Sequence, residues 1–115
     1  MIRIKRIYRE VAADDGYRIL VDRLWPRGVK KEGARVDLWM KEIAPSDKVR
    51  KDFGHRPEKW AEFKRAYTEE LDQKGELIRR IIFIAEKGTV TLLYGAADEQ
   101  LNNAVVLRDY LESKG

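Results

Sequence analysis

Strand patterns at both ends of the chain, with amphipathic helical patterns between and after them, predict an α/β fold. The expected architecture is a small, largely parallel sheet packed with helices as a two-layer or three-layer sandwich. A third observation marks one end of that sheet. The stretch Arg18 to Gly28, RILVDRLWPRG, carries an apolar run into a loop holding Asp22, Arg23, Trp25, Pro26, Arg27 and Gly28. Ligands of open α/β sheets bind outside the carboxyl ends of the strands, and this end delivers two guanidiniums and an indole.

Each element has its own reason. Ile2 to Ile7 alternates apolar with basic residues, the period of a half-exposed strand. Ala13-Asp14-Asp15-Gly16 reads as a turn, and Tyr17 to Leu24 as a second strand whose apolar centre suits a central position. Lys30 to Gly33 is expected to be a polar loop. Val36 to Ile43 fits a short strand and an irregular segment equally well. Ser46 is a natural N-cap, Val49 and Phe53 share one face, and Gly54 can close that helix. Pro57 then opens a helix with Trp60, Phe63, Tyr67 and Leu71 down its buried face. After a break at Lys74-Gly75, Leu77, Ile78, Ile81, Ile82 and Ala85 mark a further amphipathic helix ending at Lys87-Gly88. Thr89 to Tyr94 is a buried strand by composition. A polar loop from Gly95 to Gln100 leads to a last helix with Leu101, Ala104, Val105, Leu107 and Leu111 inward.

A length of 115 residues predicts a single domain over 1–115. The charged start MIRIKRIYRE lacks the apolar core of a signal peptide, no apolar run is long enough to span a bilayer, and cysteine is absent. A cytoplasmic protein is expected. Residues 1 to 60 hold 16 Lys/Arg against 10 Asp/Glu, whereas residues 61 to 115 hold 8 against 10, so the positive charge lies in the half with the Arg18–Gly28 stretch. Such an excess favours anionic partners, and dense Lys, Glu and Arg also fit the surface ion-pair networks of heat-loving organisms.

Several chemistries are excluded. One histidine, His55, rules out a two-histidine metal site, and no spacing suggests an oxygen-only one. The two serines, Ser46 and Ser113, lie in no nucleophile elbow. Neither GxGxxG nor a P-loop is present, so no cofactor is expected. If the strands ending at Leu24 and Tyr94 lie parallel and adjacent, Arg23, Trp25 and Arg27 come near Tyr94, Asp98, Asn102 and Asn103. Arginine grips phosphate or carboxylate bidentately, and Trp25 offers a face for a base or sugar. Taken singly, each has a plainer structural role: Trp25 and Tyr94 as core, Asn102 as a first-turn helix residue and His55 as a loop cap.

The chain resembles the YeaO-like proteins, a bacterial and archaeal family of unknown function. The match runs through DGYRILVDRLWPRGVKK, DLWMKEIAPS, VRKDFGHRPEKWAEFKRAYTEEL and TLLYGAADEQLNNAVVL, with DRLWPRG the most specific signature. The resemblance implies a small α/β protein and no established reaction. Where the family pattern often has lysine after TLLY, this chain has Ala97, which weakens any carry-over to that loop.

The leading expectation is therefore a pocket for an anionic, phosphorylated or nucleotide-like small molecule, lined by Arg23, Trp25, Arg27, Tyr94 and Asn102. Any acid-base chemistry falls to Asp22, Glu42, His55 or Asp98. The alternatives are weak, sequence-independent nucleic-acid binding by the basic half, with Trp25 and Trp39 as stacking platforms, and a protein-interaction module. The clustering of arginines around Trp-Pro at a strand end favours the pocket. The Trp25-Pro26 bond is expected to be trans, as most X-Pro bonds are.

Overall fold

A computed structural model describes residues 1–114 of the chain. Four strands, β1 (Ile2–Arg6), β2 (Tyr17–Leu20), β3 (Leu38–Trp39) and β4 (Val90–Tyr94), form one sheet in the order β1-β4-β2-β3. All three pairings are parallel. Five helices complete the fold: α1 (Lys31–Ala34), α2 (Asp47–Phe53), α3 (Trp60–Leu71), α4 (Gly75–Lys87) and α5 (Asn103–Lys114).

Strand β4 is buried along its whole length between β1 and β2, as an unbroken apolar run in a parallel sheet requires. Alternation then sorts the side chains. Val90, Leu92 and Tyr94 of β4, with Ile19 and Val21, face a core built from Phe53, Phe63, Tyr67, Leu71, Ile81 and Leu107 on α2 to α5. Leu20 and Leu93 face the other way and meet Ile7, Trp25, Val29, Val36 and Trp39. The sheet thus has one helical face and one face covered mainly by the segment between β2 and β3. Gly16 fits the turn into β2 because a Cβ there would lie 2.2 Å from the Thr89 carbonyl oxygen. No described helix is long and apolar enough to cross a membrane.

Several expectations change in detail. Strand β2 ends at Leu20 rather than Leu24, although the Val21 amide still bonds the Leu93 carbonyl at 3.0 Å. Lys31 to Ala34 makes one helical turn where a loop is expected, closed by Arg35 in the left-handed region at φ 50°. The segment from Val36 to Ile43 is both things the sequence allows, a two-residue strand and then a 3-10 turn over Lys41–Ile43. Ser46 caps α2 by accepting the Val49 amide, and Gly54 closes it at φ 53°. Pro57 opens a 3-10 turn that runs into α3, whose Trp60 is half-buried and so contributes less than a core tryptophan. On α5, Ala104, Leu107 and Leu111 are buried as expected, Val106 is buried in place of the half-buried Val105, and Leu101 lies half-buried just before the helix. The Trp25-Pro26 bond is trans.

Candidate functional site

Because β2 and β4 are parallel neighbours, the loops leaving their carboxyl ends lie side by side. Asp22 joins them: its Oδ2 accepts the Gly95 amide at 2.8 Å and its Oδ1 accepts Asn103 Nδ2 at 3.1 Å. Asn103 Nδ2 also donates to the Val21 carbonyl at 3.1 Å. Burial pushes the Asp22 carboxyl above its ordinary range, against the lowering effect of those two neutral donors. A Cβ at Gly95 would come within 3.2 Å of Asp22 Oδ2, so glycine leaves room for the carboxylate at this junction.

The loop beyond Asp22 is pinned from the far face of the sheet. Trp25 Nε1 donates to the Val29 carbonyl at 2.7 Å, Trp39 Nε1 to the Asp22 carbonyl at 2.8 Å, and the two indoles meet edge to face at 5.5 Å. The Tyr8 hydroxyl donates to the Arg27 carbonyl at 2.8 Å. Arg23 and Arg27 are therefore carried on a tethered loop.

Above this junction lies a cavity of about 720 Å³, within the usual range for small-molecule sites. Arg23, Arg27 and Asp22 line it from the β2 loop, Asp98, Leu101, Asn102 and Asn103 from the approach to α5 and its first turn, and Arg50, Phe53, His55 and Phe63 from the helical side. Arg23 Nε is buried and has no hydrogen-bond partner among the described residues; the Asp47 carboxylate stands 3.9 Å away and itself bonds Arg50 at 3.3 Å. His55 adopts φ 57°, an uncommon backbone for a residue with a side chain. Asp98 Oδ1 accepts the Leu101 and Gln100 amides, which hold its carboxyl below the ordinary range, with nearby His55 adding to the effect.

Of the residues singled out in the sequence, Asp22, Arg23, Arg27, His55, Asp98 and Asn102 line this cavity, and Trp25, Tyr94 and Glu42 do not. Trp25 turns to the opposite face and positions the loop. Tyr94 shares the inward phase of Val90 and Leu92, is 2% exposed, and belongs to the core. Glu42 is exposed on the 3-10 turn. Asn102 is on the wall, yet both ends of its amide are engaged: Oδ1 accepts the Val105 amide as the cap of α5 and Nδ2 donates to the Asp98 carbonyl. Phe53, Phe63 and Arg50 were missing from the sequence-based site. Arg50's place five residues before His55 was the available signal, since any pocket reached by the FGHRP loop is also within reach of the preceding helix.

A family model described as the inactive DUF488-N3 subclade matches residues 1–114. The chain belongs to this family. Its relatives include the uncharacterised protein YeaO of Escherichia coli strain K12, 46% identical over 112 residues and 97% of each chain. Uncharacterised proteins Rv3073c of Mycobacterium tuberculosis and Mb3100c of Mycobacterium bovis are 34% identical over 113 residues, 98% of this chain and 95% of theirs. The YeaO-like resemblance thus extends over nearly the whole chain. No solved structure matches.

Proposed function

We propose that this protein is a cytoplasmic binder of an anionic small molecule, phosphorylated or nucleotide-like, held in the cavity at the carboxyl ends of β2 and β4. The observation that carries this reading is the buried Arg23 Nε with no hydrogen-bond partner, on a wall shared with Arg27 and Arg50. A buried donor left unpaired costs about 1–3 kcal/mol, and an oxyanion is the group that guanidinium clusters satisfy bidentately. A purely structural role for these arginines would pair them with neighbouring carboxylates such as Asp22, Asp37 or Glu42. Asp22 is instead engaged by Gly95 and Asn103, and Asp37 accepts the Arg18 amide at 2.8 Å. The family's description as inactive supports binding without turnover.

Thermal melts with increasing phosphate test the reading. Wild type should be stabilised by mass action, by about 2.7 kcal/mol at a hundredfold excess over Kd. Arg23→Ala and Arg27→Ala should fold normally and lose that response, and Arg23→Lys should recover part of it, keeping charge without the fork. Destabilisation of both alanine variants regardless of phosphate would sink the proposal.

A further inference from the structure

Leu24 is 70% exposed on the cavity wall, between Arg23 and Arg27 in sequence. Phe53 and Phe63 stack with ring centres 4.6 Å apart and planes 24° from parallel, and both line the same cavity. A bare anion would engage the arginines and leave Leu24 in water, beside a floor formed by the largely buried Phe53 and Phe63. A ligand that also carries an apolar body would cover Leu24 and rest on that floor.

Charge narrows the anionic part. Arg23, Arg27 and Arg50 share the cavity lining with Asp22 and Asp98, and Asp47 draws on both Arg23 and Arg50. The lining itself carries three guanidiniums against two carboxylates, a small positive surplus that suits one phosphate and opposes a chain of three. Asp98 is the carboxylate placed to reject the longer chain, since its Oδ1 is occupied by backbone amides while Oδ2 accepts no hydrogen bond among the described residues.

Building on the anion-binding reading, we propose that the ligand is a phosphate monoester bearing a flat apolar ring, of the mononucleotide type. Its phosphate sits among the three arginines and its ring covers Leu24 and the phenylalanine wall. Leu24 and Asp98 then determine specificity, for the ring and against a polyphosphate.

Titration calorimetry of the full chain with inorganic phosphate, ribose 5-phosphate, AMP and ATP separates the possibilities. AMP should bind at least about tenfold more tightly than ribose 5-phosphate, the scale of one large apolar contact, and more tightly than ATP. Leu24→Ser, at an exposed position, should weaken AMP far more than ribose 5-phosphate. Asp98→Asn, which keeps an oxygen for the two amides, should narrow the preference for AMP over ATP. Equal binding of AMP and ribose 5-phosphate, with the phosphate response intact, overturns the ring and leaves the anion site standing. ATP binding more tightly than AMP overturns the monoester. Silence from every probe, phosphate included, overturns the anion reading and this inference together.

Discussion

Arg18 lies in β2 and Arg23 five residues later, in the loop beyond the strand's carboxyl end, and their surroundings are opposite. Arg18 is 3% exposed and saturated: Nη1 pairs with Asp15, Nη2 donates to the Ala34 carbonyl at 2.9 Å and Nε to the Arg35 carbonyl at 3.0 Å. Asp15 also takes Lys5 at 2.7 Å. At the carboxyl end, Asp22 is held by neutral donors alone, and Arg23 has only a distant carboxylate. A buried arginine whose three nitrogens all donate to protein oxygens holds the fold together. One with an unpaired N–H on a cavity wall is available to something outside the chain.

The most drastic way to break this contrast is Arg18→Ala. It strands Asp15 in a buried position with one partner fewer, so we expect a loss of about 3–5 kcal/mol in urea unfolding. A loss under about 1 kcal/mol would mean that the amino-end cluster is not structural.

The two aspartates should tilt stability with pH in opposite directions. Burial alone would raise the Asp15 carboxyl, but hydrogen bonds from Lys5, the Ala12 amide and Arg18 outweigh it and hold it below the ordinary value. Its contribution is therefore present above the unfolded value of about 3.9 and lost as pH falls below that. Asp22, raised by burial, works the other way, with stability declining as pH climbs from about 4 towards its raised value. Unfolding free energies of wild type and Asp15→Asn between pH 2 and 7 check the first half, because the acid-side slope should flatten in the variant. An unchanged slope would place the acid sensitivity elsewhere.

A smaller effect sharpens the contrast from the other end. Measured by the same urea titration without ligand, Arg27→Ala should change stability by no more than about 0.5 kcal/mol, as surface substitutions do, and Arg23→Ala, which removes the unpaired donor, should cost no stability. A change of similarly small size is expected at His55, whose φ of 57° is strained for a side-chain-bearing residue. His55→Gly should raise stability by roughly 0.5 kcal/mol, the relief of strain less the added freedom of the unfolded chain. A decrease would show that the imidazole makes a stabilising contact.

Sequence reasoning reached the parallel pairing of β2 with β4, and with it the meeting of Arg23 and Arg27 with Asp98, Asn102 and Asn103, because strand ends follow from apolar runs and turn residues. It misplaced Tyr94 by neglecting that a period of two puts Tyr94 in step with Leu92. It misplaced Trp25 because a chain leaving a strand can turn to either face, and nothing local to RLWPRG specifies which. Phe53 and Phe63 escaped because their helices reach the cavity only through tertiary packing. Asn102 was legible as a helix residue, and its capping role is the physics of an asparagine before an amphipathic run.

The pairing of Ile2 with Val90 and of Arg6 with Tyr94 has a consequence for how the chain assembles. The first strand emerges from the ribosome with no neighbour to accept its ladder, and its partner is synthesised only after four of the five helices. Until then β2 also lacks its central neighbour, so the nascent sheet is limited to the two-residue β2–β3 pairing. Such high sequence separation slows folding relative to local helical contacts and leaves apolar strands open to wrong pairings in the interval. The basic residues along β1, Arg3, Lys5 and Arg6, supply like-charge repulsion between waiting chains during that delay.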